Sequence, residues 1–398
     1  MDIEELKAAV TGEVDALRAE LVELSLRIHQ NPEVAFEEVK ASAWLAEYLE
    51  GHGFEVQKGI CQLPTAFRAT YGSGKPVIAL LAEYDALPEV GHGCGHNIIG
   101  TAAAGAGCAA RKAVDALGGT VMVVGTPAEE AYGGKVFLVE RGAFAGVDAA
   151  MIVHPHVVDR ASTRTLALIR LEVEFFGKAA HAASDPHRGI NALEALIQAY
   201  NGINSLRQHI RERDRVHGVI THGGEAANVV PAYSAGVFFV RAESEAGLNE
   251  LRERVLNCFK AASLATGARL EYNWSSYYAP LIPNAALAEL FAVNMGTLGR
   301  TVLPPMRRGL GSSDMGNVSA LVPAIHPAVA IAPRDVTAHS PEFARAAASE
   351  EGHRGLVDGA KAMAMTVVDL LARPEAMQKV KEEFAGDNRA GEGAGAAG

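Results

Sequence analysis

Cysteine is scarce and unpatterned: Cys61, Cys94, Cys108 and Cys258 form no Cys-x-x-Cys pair and no even framework. That excludes a disulfide-stapled fold and favours a reducing, cytoplasmic address. Positive charge is in deficit, with 36 Lys and Arg against 47 Asp and Glu, a net charge of −11. A nucleic acid or an anionic membrane surface is therefore not an expected partner. No apolar run reaches the roughly 18 residues of a membrane span, and the opening MDIEELKAAVTGEVDALRAE lacks the basic and apolar regions of a secretory signal. There is no GxxxxGK[ST] loop and no GxSxG elbow, and no strand feeds the glycines of residues 100–107, so nucleotide-binding and serine-hydrolase readings lose their motifs.

What is present is a long chain with ample apolar content. Its 398 residues correspond to two or three domains at roughly 150 residues each, and a hydrophobic share of 49% beside only 6% aromatics suits an α/β protein. Apolar residues recur at helical spacing over 3–29 and 35–52, broken at Asn31-Pro32. Short β-rich runs follow at 54–56, 66–71 and 77–81, then an Ala-rich helix over 98–117, then runs at 120–124 and 149–153. Near-continuous apolar strands alternating with helices predict a mostly parallel mixed sheet covered on both faces. Over 165–282 the rhythm changes to strand, helix, strand, strand, helix, strand, a βαββαβ unit of α+β type. A helix over 285–298, a strand at 329–332 and a long helix over 342–372 resume the first pattern. The expected organisation is a catalytic domain (1–164 and 283–385) interrupted by a smaller inserted domain (165–282), with a Gly/Ala tail (386–398) expected to lack structure.

Three strands run directly into polar clusters, at IALLAEYDALP (78–88), VMVVGTPAEE (121–130) and AAMIVHPH (149–156). Ligands of open α/β sheets bind at the carboxyl ends of strands, so Glu83, Asp85, Glu129, Glu130, His154 and His156 should converge. Between the first two clusters a glycine-dense loop, Gly91-His92-Gly93-Cys94-Gly95-His96-Asn97, precedes a helix. Carboxylate, imidazole and thiolate together are the donor set of zinc and its neighbours. Each taken alone is more simply a core histidine, a small buried thiol or a capped carboxylate. Together they would leave several ionisable groups buried at one edge, at several kcal/mol each unless paired, and a metal removes that cost.

The segments AEYDALPEVGHGCGHN, GTPAEEAYGGK, GKAAHAA, THGGEAANVVP, GSSDMGNVS and TAHSPEF, in this order along nearly the whole chain, resemble the zinc aminoacylase and carboxypeptidase family of co-catalytic amidohydrolases, in its p-aminobenzoyl-glutamate hydrolase and dipeptidase branch. The resemblance implies two divalent ions, zinc first, with manganese, cobalt or nickel compatible with the same donors, held by Cys94, His96, Glu130, His154 and His339. It makes Glu129 the base that activates a water between the ions for attack on an amide carbonyl, and makes the inserted domain a lid that mediates a homodimer. Neighbouring side chains of an extended segment diverge, so Glu129 and Glu130 can divide these tasks; only the resemblance says which takes which. His181 in the lid would assist the tetrahedral oxyanion, from its own protomer or the opposite one; otherwise it is a histidine at a sheet edge. Asp85 would orient a ligand histidine, or else cap a helix or pair within its loop. Arg241 and Asn228 would hold the free carboxylate of a small amide substrate, the plainer reading of Arg241 being a solvated strand face. Gly311, Ser312 and Ser313 would offer N–H groups to an anion or, with Asp314, simply cap a helix. Asn97 replaces an Asp found in relatives outside this branch, and His156 is a second imidazole beside His154. The implied activity is hydrolysis of a dipeptide or aroyl-amino acid. The alternatives are an N-acyl-amino-acid deacylase or carbamoyl-type amidase, and a catalytically silent binding homologue.

Overall fold

A computed structural model describes residues 2–305 and 311–395, with side chains to residue 386. The chain opens with α1 (Ile3–His29), started by an Asp2–Glu5 capping box, and α2 (Val39–Gly51). Then come β1 (Glu55–Lys58), β2 (Phe67–Ser73), β3 (Val77–Ala82), α3 (His96–Leu117), β4 (Gly119–Gly125), α4 (Gly134–Glu140), β5 (Ala149–Met151) and β6 (His154–His156). A second compact unit, Thr165–Pro280 with residues 311–312, holds β7 (Ala167–Phe176), α5 (Ala192–Leu206), β8 (Arg215–His222), β9 (Tyr233–Ala242), α6 (Glu245–Thr266) and β10 (Arg269–Tyr278). The first unit resumes at Leu281 with α7 (Ala285–Thr297), α8 (Met315–Leu321), β11 (Ala324–Ile325), β12 (Ala328–Ala330), α9 (Pro341–Ala346), α10 (Glu350–Ala372) and α11 (Pro374–Gly395). The side chains of the tail expected to lack structure, from 387 on, lie outside the described residues.

In the first unit six strands form a mixed sheet in the order β1-β2-β4-β3-β5-β11. The pairs β3–β4, β3–β5 and β5–β11 are parallel and the two on the β1 side antiparallel. Alternate residues feed two separate cores: Ile78, Leu80, Val121 and Val123 pack with the helices on one side, and Ala79, Leu81, Met122 and Val124 with those on the other. This two-sided covering explains the near-continuous apolar strands. The second unit is an antiparallel sheet, β10-β7-β9-β8. Its buried positions alternate along β7 and β9 and pack with α5 and α6 in one core.

Two details depart from the periodicity. The apolar run at 149–153 ends as a main-sheet strand at Met151, and β6 pairs instead with β12 in a two-stranded parallel ribbon. The long helix expected over 342–372 is two helices, because Ser349 Oγ accepts from Gly352 N and starts α10 anew. An Ala-rich stretch hides that break, since alanine keeps helical periodicity through it.

Candidate metal centre

Strands β3, β4 and β5 run in parallel with Ala82 opposite Gly125 and Leu80 opposite Met151. The segments after them therefore leave the sheet at one edge. Cys94 and His96 arrive through Gly95, the residue before α3, at φ +79°, where an added Cβ would stand 2.8 Å from the Pro155 ring. Only glycine combines that left-handed turn with so close an approach. His339 comes from the loop before α9; its φ is +65°, and its N–H donates to Gly93 O at 2.9 Å. Ala128, immediately before Glu129, has φ +61° and donates its N–H to the buried Glu38 carboxylate at 2.8 Å. Left-handed geometry at non-glycine residues costs about 1–3 kcal/mol each and persists where the surroundings over-determine it.

Among the described residues, four overlapping groups bring three donor atoms within 4.8 Å of one another: Cys94, His96 and His154; Cys94, Glu130 and His339; His96, Glu129 and Glu130; and Glu83, Glu129 and Asp314. Cys94 Sγ lies 3.3 Å from His154 Nε2, and His339 Nε2 lies 3.3 Å from Glu130 Oε1. His96 Nδ1 donates to Asp85 Oδ1 at 2.9 Å, while Asp85 Oδ2 accepts from Glu130 N at 2.9 Å. One carboxylate thus orients both a histidine ring and the backbone of the neighbouring segment. His154 Nδ1 donates to Pro155 O at 2.7 Å, which leaves the Nε2 lone pair toward Cys94.

The electrostatics call for added positive charge. Burial pushes the Cys94 thiol far up, and His96 relieves it only in part. Burial by itself would lower His96, yet Asp85 and Cys94 hold its imidazole well above the usual range, a demand that a proton or a cation can meet. Glu130 is likewise resisted by burial but is held down to about 2 by His339 and His96. Glu129 is raised well above the ordinary carboxylate range by burial and by Glu83, Asp314 and Glu130. His96 Nε2 and Glu130 Oε1 are buried without a hydrogen-bond partner, although such atoms in folded proteins are nearly always satisfied. A nitrogen, sulfur and carboxylate donor set of this kind fits divalent transition metals.

Behind these groups lies a second polar cluster. Lys135, fully buried on α4, places Nζ 2.5 Å from Glu83 Oε1 and 2.8 Å from Asp314 Oδ1, and its N–H donates to Asp314 Oδ2 at 2.9 Å. Lys135 escaped the sequence reading. The signal was there in Gly133-Gly134-Lys135: Gly133 sits at φ +69°, and an added Cβ on Gly134 would meet Pro127 O at 1.9 Å, so the pair turns the chain tightly and drives the lysine inward. Glu38 was also missed. It accepts from Ala128 N and from Thr65 Oγ1, at 3.1 Å, beside the segment that carries Glu129.

Other residues take plainer places. Asn97 Nδ2 donates to Ser25 Oγ and Ala347 O, which ties helices together. His156 joins none of the donor groups among the described residues. His326 is half-buried, with its ring 5.2 Å from that of His154. Ser313 Oγ accepts from Met315 N at the start of α8, while Asp314 is turned to Lys135 and makes no cap. In the second unit His181 Nδ1 accepts from Ala183 and Ser184 N–H at 3.2 Å. Asn228 accepts from Ala182 N through its carbonyl, and Gly311 O accepts from Leu166 N. Arg241 Nη1 donates to Ser312 Oγ at 3.0 Å, and its Nε is buried without a hydrogen-bond partner.

The family model for the peptidase dimerisation domain matches residues 164–266. The Xaa-Arg dipeptidase of Mus musculus is 36% identical over 402 residues, covering 96% of this chain and 93% of that protein. The Xaa-Arg dipeptidase of Homo sapiens is also 36% identical, over 406 residues with the same coverage. A p-aminobenzoyl-glutamate hydrolase chain of Escherichia coli (strain K12) is 38% identical over 306 residues, 72% of this chain and 64% of that one. A dinuclear metal-binding peptidase of Bacillus subtilis, from the M20 family, shares the fold at a TM-score of 0.69 and 21% identity, covering 90% of this chain and 99% of that one. The chain belongs to the M20 metallopeptidase family. It is a hydrolase of amide bonds.

Proposed function

We propose that the protein hydrolyses the amide bond of a dipeptide or an aroyl-amino acid bearing a free carboxylate, at a centre of two divalent ions held by Cys94, His96, Glu130, His154 and His339. The observation that carries this reading is the convergence of thiol, imidazole and carboxylate donors within 4.8 Å of one another, with His96 Nε2 and Glu130 Oε1 buried and making no hydrogen bond. Divalent cations, zinc foremost and manganese, cobalt or nickel compatible with the same donors, supply Lewis acidity toward the carbonyl and make water acidic enough to ionise near neutrality. Glu129 takes the proton from that water and returns it to the leaving amine, a task suited to a carboxylate whose pKa its surroundings have raised. Asp85 holds His96 Nδ1–H, so that Nε2 faces the centre. His181 donates to the oxyanion. Arg241 and Asn228 receive the substrate carboxylate, and Gly311, Ser312 and Ser313 offer N–H groups to an anion. The active form is a homodimer built through the second unit, in the cytoplasm, where its four unpaired cysteines stay reduced.

The test is a substrate panel run on chelated protein reloaded with each metal in turn. Dipeptides ending in arginine and p-aminobenzoyl-glutamate should be cleaved faster than N-acetyl-amino acids. The reverse order would establish the deacylase reading, and ion-loaded protein that turns over none of them would be a binding homologue.

A further inference from the structure

The group of Glu83, Glu129 and Asp314 has the spacing of a cation site, yet the cation next to it belongs to the chain. Lys135 Nζ lies 2.5 Å from Glu83 Oε1 and 2.8 Å from Asp314 Oδ1, close to the roughly 2.0–2.6 Å at which divalent ions take carboxylate oxygens. Lys135, Glu83 and Asp314 are all fully buried, so water does not compensate these charges. The placement is built by the backbone: the Gly133-Gly134 turn delivers the lysine, and its N–H donates to the same aspartate that receives its ammonium.

We propose that Lys135 is a covalently tethered third cation, which occupies the Glu83–Asp314 position and thereby limits the protein to two bound metal ions. Lys135 is a positioning residue: it touches neither substrate nor the proposed ions, and it acts by fixing two carboxylates beside Glu129. An ammonium is a compact, monovalent point charge, which satisfies these carboxylates without competing for the donors at the front. This inference rests on the dimetal reading above, but the two fail separately.

The test counts ions. Full-length wild type, Lys135→Ala, Lys135→Arg and the double variant Lys135→Ala/Asp314→Asn are stripped with chelator, saturated with Mn²⁺, passed over a desalting column and analysed for metal per chain. Wild type and Lys135→Arg should hold two ions, Lys135→Ala one more, and the double variant two again. A folded Lys135→Ala that holds no more metal than wild type overturns the inference. A wild-type count other than two would instead strike the dimetal reading. If Lys135→Ala does not fold without metal, added Mn²⁺ or the Asp314→Asn change should restore its thermal transition, and failure of both to do so overturns the inference as well.

Discussion

Two polar clusters lie back to back in the first unit, and they solve the problem of buried charge in opposite ways. At the back, Glu83 and Asp314 receive their counter-charge from the chain itself, as Lys135. At the front, Cys94, His96, Glu130, His154 and His339 have only imidazoles to set against the carboxylate and the thiol, with His339 Nε2 3.3 Å from Glu130 Oε1 and Cys94 Sγ 3.3 Å from His154 Nε2. Glu38 shows a third solution: burial pushes its carboxyl up to about 7, so that a proton can serve in place of a cation. A buried carboxylate matched by a fixed ammonium is closed to outside ions, whereas donors gathered around imidazoles and a thiol can exchange protons for a metal.

Glu129, between the two clusters, should give the largest effect. Glu129→Gln is expected to lower kcat by about 10²–10⁴-fold while elemental analysis finds the metal content unchanged; near-normal turnover would remove Glu129 from proton transfer. Next comes the front cluster itself. Cys94→Ala should lose metal and activity together, and a full complement of ions would show that the thiol is no ligand. Asp85→Asn keeps the shape but weakens the acceptor for His96, so metal affinity in a chelator competition should fall about 10–100-fold. Unchanged affinity would detach Asp85 from the centre.

The smallest effect concerns Glu38. Its folded pKa of about 7 lies above the ordinary 4.5, so its contribution to stability is fully present below pH 4.5 and is lost as pH rises toward 7. Glu38→Gln removes that dependence. In urea unfolding across pH, the variant should gain on wild type between these limits, at up to about 1.4 kcal/mol per pH unit. Parallel curves would mean that Glu38 titrates alike in both states.

Much of the fold was legible because burial leaves periodic traces. The two-sided sheet followed from unbroken apolar strands, and the βαββαβ unit from its alternating periods. The break at Ser349 was not, since small apolar residues on either side keep the helical rhythm. For the site, residue types and their placement after strands pointed to one edge of the sheet, and the structure brings the donor atoms of Cys94, His96, Glu130, His154 and His339 into its overlapping groups. Lys135 was overlooked because a lysine in a helix ordinarily points to solvent.

The sequence by itself determined which donors exist, that they follow strand ends, and that glycines flank them, since these are properties of local pattern. Only the tertiary structure decided which carboxylates are already paired and which atoms are left open. Those distinctions are set by the position of Lys135 between Glu83 and Asp314, and by the meeting of His339 with Glu130 across some two hundred residues of chain. Counter-charge depends on distance in space, and separation along the chain does not encode it.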